Sequence, residues 1–114
     1  MFHILVVDDD KNTRILLKAV LEAERYTVFT AENGEEALEV MDREHIDLVV
    51  LDIMMPKMNG YELTKTLRDN RSILPILMVS AKQLPEDKRK GFIVGTDDYM
   101  TKPFDALELT VRIK

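Results

Sequence analysis

Short apolar runs alternate with amphipathic stretches along the whole chain, and this alternation restricts the fold more than any other feature of the sequence. Ile4-Leu5-Val6-Val7 is a continuous, mostly β-branched run, as expected for a strand buried on both faces. Asp10 or Asn12 is placed to cap a following helix, in which Ile15, Leu16, Ala19, Val20 and Ala23 recur at helical spacing. Residues 26–30 read as a second strand. Asn33-Gly34 turns the chain, and Ala37, Leu38 and Met41 mark a helix. Residues 48–51 form a third buried strand, ended by Asp52. Residues 54–60 hold Pro56 and Gly60 and read as a loop. Residues 61–68 follow as a helix with Leu63, Thr64 and Leu67 inward. Pro75 opens a strand through Val79, a position where proline is tolerated. Residues 85–94 read as a charged helix, 98–101 as a last strand, and Asp105 begins a final helix.

About five strand–helix pairs at this spacing imply βαβ units and a parallel sheet with helices on both faces. The 114 residues suit one domain, and 46% apolar residues suffice for its core. A net charge of −5 disfavours direct binding of nucleic acid or of an anionic membrane surface. The absence of cysteine excludes disulfides and thiolate metal sites. No uncharged apolar run approaches the roughly 18 residues needed to span a bilayer. The first residues meet acid at Asp8 without a basic lead-in, so no signal peptide and a cytoplasmic location are expected.

Ligands in open parallel sheets bind at the carboxyl ends of the strands. Here the first strand ends in Asp8-Asp9-Asp10, the third in Asp52 and the fourth in Ser80, and the fifth is followed by Lys102-Pro103. The second ends in Thr30, which receives no assignment. Acids gathered at one edge repel each other and call for a hard divalent cation such as Mg²⁺. Zn²⁺ is disfavoured because no His or Cys accompanies them. Lys102 supplies a point charge for a phosphate, Ser80 supplies a hydroxyl, and a carboxylate beside Mg²⁺ can attack phosphorus. The plainer reading of residues 8–10 is a set of acids that suits a helix N-terminus. His3 and His45 stand apart from the acids and receive no function.

The blocks Ile4–Asp10, Asp47–Pro56, Met58-Asn59-Gly60, Val79-Ser80-Ala81, Gly95-Thr96-Asp97-Asp98-Tyr99 and Thr101-Lys102-Pro103-Phe104 resemble, in order and spacing, those of response-regulator receiver domains. The resemblance covers essentially the whole chain. It implies a flavodoxin-like (βα)5 doubly wound parallel sheet with strand order 2-1-3-4-5. Asp52 matches the phosphoacceptor, Asp9 the direct metal-binding acid, and Asp8 its neighbour acting through water. The backbone carbonyl of Met54 matches a further contact to Mg²⁺, for which Mn²⁺ is the alternative. Ser80 matches the switch hydroxyl, Lys102 the phosphate-binding lysine and Tyr99 the aromatic that turns with the switch. The Lys102-Pro103 bond matches one that is usually cis in the family. The implied phosphodonor is a sensor histidine kinase, and the implied chemistry is self-phosphorylation and slow dephosphorylation, not enzymatic turnover.

The Gly-x-Asp-Asp-Tyr and Lys-Pro-Phe blocks are most similar to the transcription-factor subfamily with a winged-helix DNA-binding domain. That similarity implies a homodimer on phosphorylation, with Lys88 facing Glu108 and Asp98 facing Arg112 across a twofold axis. Thr96 replaces the usual Ala and is expected to be harmless. Residues 1–114 are expected to be one receiver domain whose last helix is cut short and whose effector domain is absent. Other readings meet obstacles in the residues. A haloacid dehalogenase-type phosphatase wants a second Asp where Met54 stands. A flavin module wants a Gly- or Ser/Thr-rich loop where the acids stand. A non-phosphorylated pseudo-receiver is at odds with intact Asp52, Ser80 and Lys102.

Overall fold

A computed structural model describes residues 2–53, 59–69, 74–80, 89–90, 96–101 and 113, with the side chains of Ser80 and Thr101 excepted. In chain order the elements are β1 (His3–Val7), α1 (Lys11–Ala23), β2 (Thr27–Ala31), α2 (Gly34–Arg43), β3 (Leu48–Leu51), α3 (Gly60–Asp69), β4 (Ile76–Ser80) and β5 (Asp98–Thr101). All strand pairs are parallel, in the order β2-β1-β3-β4-β5. This is the doubly wound α/β sheet expected from the alternation. Residues 89, 90 and 113 are helical, and the rest of the expected helices 85–94 and 105–114 lies outside the described residues. Among the described residues no helix is long and apolar enough to cross a membrane.

The central strands are apolar throughout because successive side chains point to opposite faces, and both faces are covered. Leu5 and Val7 of β1, Val49 and Leu51 of β3, and Ile76 and Met78 of β4 enter one core with Ala37 and Val40 of α2 and Leu63 and Leu67 of α3. Ile4 and Val6, Leu48 and Val50, and Leu77 and Val79 enter the other, under Leu17 and Leu21 of α1. Burial of each such side chain contributes roughly 1.5–3 kcal/mol.

Side-chain caps start the helices. Asp10, not Asn12, caps α1, accepting from the Asn12 N–H at 3.0 Å. Asn33 caps α2, accepting from the Glu36 N–H at 2.9 Å, so Gly34 is the first helical residue. At α3 the Asn59 side chain accepts from the Glu62 N–H at 2.9 Å, and the Glu62 carboxylate accepts from the Asn59 N–H at 3.3 Å. This reciprocal capping box satisfies two donors that the helix leaves unpaired.

Of the apolar stripe expected on α1, Val20 alone packs against the core. Ile15 is 57% and Leu16 53% exposed, Ala19 and Ala23 are also exposed, and Val20 is half-buried. The inward face is Arg14, Leu17 and Leu21, spaced i, i+3, i+7. The sheet residues beneath Leu17 and Leu21 and the bond from Arg14 to Asp8 both fit this rotation of the helix. A count of apolar residues does not see either.

Thr96 is buried, and its hydroxyl lies 2.9 Å from the carbonyl oxygens of both Ile76 and Asp98. The Ile76 carbonyl also accepts from the Asp97 N–H at 2.9 Å, so it stays paired without the hydroxyl. Thr96→Ala is therefore expected to lower the unfolding free energy by only about 1 kcal/mol, read from urea denaturation. A loss above about 3 kcal/mol, the scale of an orphaned buried group, would contradict this account. Nearby, the Asp97 carboxylate accepts from the Ile76 N–H and from Arg68, each at 2.8 Å, and ties α3 to the start of β4.

Candidate functional site

Parallel pairing brings the ends of β1 and β3 side by side, and the ladder continues one residue past each. The Asp8 N–H donates to the Ala31 carbonyl at 3.1 Å, and the Asp52 N–H donates to the Val7 carbonyl at 2.9 Å. Asp8 and Asp52 are thereby held as rigidly as strand residues. Both are buried, whereas Asp9 is exposed. Carboxylate oxygens of Asp8, Asp9 and Asp52 all lie within 4.8 Å of one another. Asp8 Oδ1 also accepts from the Asp10 N–H at 2.9 Å, which orients that carboxylate.

Two neighbouring carboxylates so close oppose the ionisation of Asp9. The Asp9 pKa is raised above the ordinary carboxylate value, first by partial loss of hydration and then by the charges of Asp8 and Asp52. Such an oxygen-only group, with two buried members and one open to solvent, fits a hard divalent cation of the Mg²⁺ type. The cluster matches the magnesium site typical of receiver domains.

A raised carboxylate pKa means that the folded chain holds the Asp9 proton more tightly than the unfolded chain. Metal-free stability then falls as pH rises from the unfolded value of 3.8 through the folded one, and stays lower above it. Asp9→Asn is expected to remove this loss. At neutral pH without metal the variant is expected to be more stable by about 0.5–1 kcal/mol, the range left after solvent screening. The gain is expected to shrink towards pH 4, and Mg²⁺ is expected to raise the melting temperature of the parent but not of the variant. Thermal melts at several pH values, with and without Mg²⁺, check both statements.

Gly60 opens α3 against the back of the acid cluster. Its N–H donates to the Ile53 carbonyl at 3.0 Å. A Cβ at this position would stand 2.5 Å from the Asp52 carbonyl oxygen, 2.8 Å from Ile53 Cα and 2.8 Å from Leu51 Cδ1. The sequence marks this glycine only as a turn and helix start, and its close approach to Asp52 is legible only in the fold.

Ser80 ends β4 in register with Thr101 of β5, on the same sheet edge as the acids. Its side chain lies outside the described residues, as do Met54, Lys102 and Pro103. Tyr99 is 5% exposed and packs in the core that also holds Met78 and Leu63. Asp98 is half-buried on the edge strand β5, and its carboxylate accepts from the Tyr99 N–H at 2.8 Å. Lys88, Glu108 and Arg112 lie outside the described residues.

Arg14 was not legible as a functional residue. Its guanidinium, 13% exposed, donates through Nη1 to the Asp8 carbonyl at 2.7 Å, and its Nη2 lies 3.4 Å from Glu32 Oε1. The available signal was a cation near the start of a helix, where the macrodipole disfavours one. The two histidines sit at the other end of β1, away from the acids. His3 donates from Nδ1 to the His45 carbonyl at 2.7 Å, and His45 donates from Nε2 to Asp47 at 2.8 Å. The His3 N–H, with His45 adding to it, holds the Asp47 carboxyl below the usual carboxylate range.

Known proteins share this arrangement. The family model described as the response regulator receiver domain matches residues 4–114. The alkaline phosphatase synthesis transcriptional regulatory protein PhoP of Bacillus subtilis is 49% identical over 111 residues, which are 97% of this chain and 46% of PhoP. The heme response regulator HssR of Staphylococcus epidermidis is 41% identical over 114 residues, 100% of this chain and 50% of HssR. The chain thus spans about half the length of these curated relatives. Among solved structures, the receiver domain of the Francisella response regulator 1452 superposes with a TM-score of 0.94 at 36% identity, covering 99% of this chain and 93% of that one. With a family match over nearly its whole length and acids gathered at the strand ends, the chain belongs to the response regulator receiver domain family.

Proposed function

We propose that Asp52 accepts a phosphoryl group from a phosphohistidine of a sensor histidine kinase. The observation that carries this reading is the meeting of the Asp8, Asp9 and Asp52 carboxylates within 4.8 Å at the strand ends. An Asp52 carboxylate oxygen attacks phosphorus in line, the bond from phosphorus to the donor imidazole nitrogen breaks, and that nitrogen leaves with the electron pair. Asp8, Asp9, Asp52 and the Met54 carbonyl would hold Mg²⁺, or Mn²⁺ in its place. Bound there, the ion supplies charge neutralisation for the phosphoryl oxygens. Lys102 and Ser80 bind those oxygens, and water later removes the phosphoryl group slowly. The domain is a phosphoacceptor with this self-directed chemistry and no substrate turnover.

The added phosphate brings roughly −1.5 to −2 charge and draws Ser80 and Lys102 towards it, while Tyr99 turns with the switch. The output is a homodimer in which Lys88 pairs with Glu108 and Asp98 with Arg112 of a second copy. Exposed pairs of this kind contribute only about 0–1 kcal/mol each and set register more than affinity. Residues 1–114 form the receiver, and a winged-helix DNA-binding domain beyond it regulates transcription. Relatives twice as long that are named as regulators support this. The segment itself binds neither nucleic acid nor membrane, and it works in the cytoplasm, where the kinase phosphohistidine is regenerated.

The test is to incubate the chain with Mg²⁺ and acetyl phosphate and to map the added mass. One acid-stable, base-labile phosphoryl group on the peptide containing Asp52 is expected, absent when Mg²⁺ is chelated. Label on another residue, or no label at millimolar Mg²⁺, would sink the reading.

A further inference from the structure

Arg14 stands where a helix tolerates a cation poorly. The first turns of α1 carry partial positive charge, and a guanidinium there is disfavoured. Its burial adds a desolvation cost. Two contacts offset these costs, and one of them reaches the acid cluster. Nη1 donates to the Asp8 carbonyl at 2.7 Å, and Nη2 faces Glu32 in the connection from β2 to α2 at 3.4 Å. The Asp8 carbonyl belongs to the peptide that joins Asp8 to Asp9.

A peptide is a rigid plane. This one is held by Arg14 at its oxygen end, and its nitrogen belongs to Asp9. Holding the oxygen restricts ψ of Asp8 and φ of Asp9, the torsions that aim the exposed acid. Asp8 is fixed independently by its ladder bond to Ala31, and Asp52 by its bond to Val7. Asp9 lies beyond the strand, in the bend that joins β1 to α1, and takes its direction from that bend. We infer that Arg14 is a positioning residue for the acid cluster: by holding the Asp8–Asp9 peptide oxygen, it sets where the Asp9 carboxylate stands relative to Asp52. The inference rests on the proposed cation site.

A rival effect has the opposite sign. A guanidinium near a cation site repels the ion, so its removal would tighten binding. Glu32 pairs with Arg14 and offsets that charge, which leaves the bond to the peptide as the dominant effect. The direction of the change therefore decides between them.

Mg²⁺ alone is titrated calorimetrically into the whole chain and into Arg14→Ala, Arg14→Lys and Glu32→Gln, at a temperature where circular dichroism shows each folded. Exchange of the Asp9 amide hydrogen is followed without metal. Loss of a group that orients a metal ligand typically weakens the metal about 10–100-fold. Arg14→Ala is expected at the lower end, about tenfold weaker, with faster Asp9 exchange. Arg14→Lys keeps one donor and is expected to fall between Ala and the parent. Glu32→Gln frees the guanidinium from its second anchor and is expected to weaken Mg²⁺ about two- to threefold, a fraction of the loss for the whole side chain. Unchanged or tighter binding in Arg14→Ala with unchanged exchange overturns the inference. Should Arg14→Ala not fold, parent-like affinity in both Arg14→Lys and Glu32→Gln overturns it instead. If the parent chain binds no Mg²⁺ at millimolar concentration, the cation site itself falls and the positioning role with it. Parent binding that survives every substitution removes the positioning role alone.

Discussion

In the Asp52→Asn variant no phosphoryl label is expected after incubation with Mg²⁺ and acetyl phosphate. An amide oxygen is neutral and a poor nucleophile, so the rate should fall at least about a thousandfold, below detection. The substitution keeps size and shape. The residue is 6% exposed, and its main-chain bond to Val7 at 2.9 Å does not involve the altered group. It also removes one of three charges that crowd within 4.8 Å. The label should therefore vanish without loss of the fold, which a thermal melt in the absence of Mg²⁺ checks. Labelling at the parent rate would show that phosphorus goes elsewhere. A variant that loses both label and fold would show instead that Asp52 is chiefly structural.

Gly60→Ala is expected to have the largest effect on stability. Helix propensity alone predicts the reverse, since alanine in a helix interior is favoured by about 1 kcal/mol over glycine. Packing opposes it. The new Cβ would lie 2.5 Å from the Asp52 carbonyl oxygen and 2.8 Å from Ile53 Cα, both main-chain atoms that no rotamer change can move. Overpacking of a core typically costs about 1–3 kcal/mol, and this contact falls at the upper end because relief must shift either the start of α3 or the turn after β3. A shift of about 1 Å at Asp52 would also slow labelling on the order of a hundredfold. Urea denaturation and the initial rate of labelling measure the two effects. A variant as stable and as fast as the parent would show that α3 can move away freely.

The acids and the sheet illustrate what could be read before any coordinates. Strands and helices announce themselves through periods of two and 3.6 residues, which are properties of neighbouring positions in the chain. Parallel order then follows from the alternation, and it predicts that Asp8, Asp9 and Asp52 meet although more than forty residues separate the pair from its partner. The structure bears this out. The boundaries drifted by a residue, as at β2, which ends at Ala31 and not at Thr30.

The rotation of α1 was not legible, because it depends on the sheet beneath the helix. Ile15 and Leu16 look like core residues by composition, yet Leu17 and Leu21 face Ile4 and Val6. Arg14 could not be assigned because its partner is a main-chain carbonyl, which has no letter in the sequence. Gly60 offered the same difficulty, since nothing local says that the Asp52 backbone passes 2.5 Å from where a side chain would begin. The sequence by itself determined the order of elements, the parallel sheet and the identity of the acids, because periodicity and side-chain chemistry are local. Only the tertiary structure decided which face of α1 is buried, how closely α3 approaches Asp52 and what holds the Asp8–Asp9 peptide. Those depend on backbone atoms brought together from distant parts of the chain.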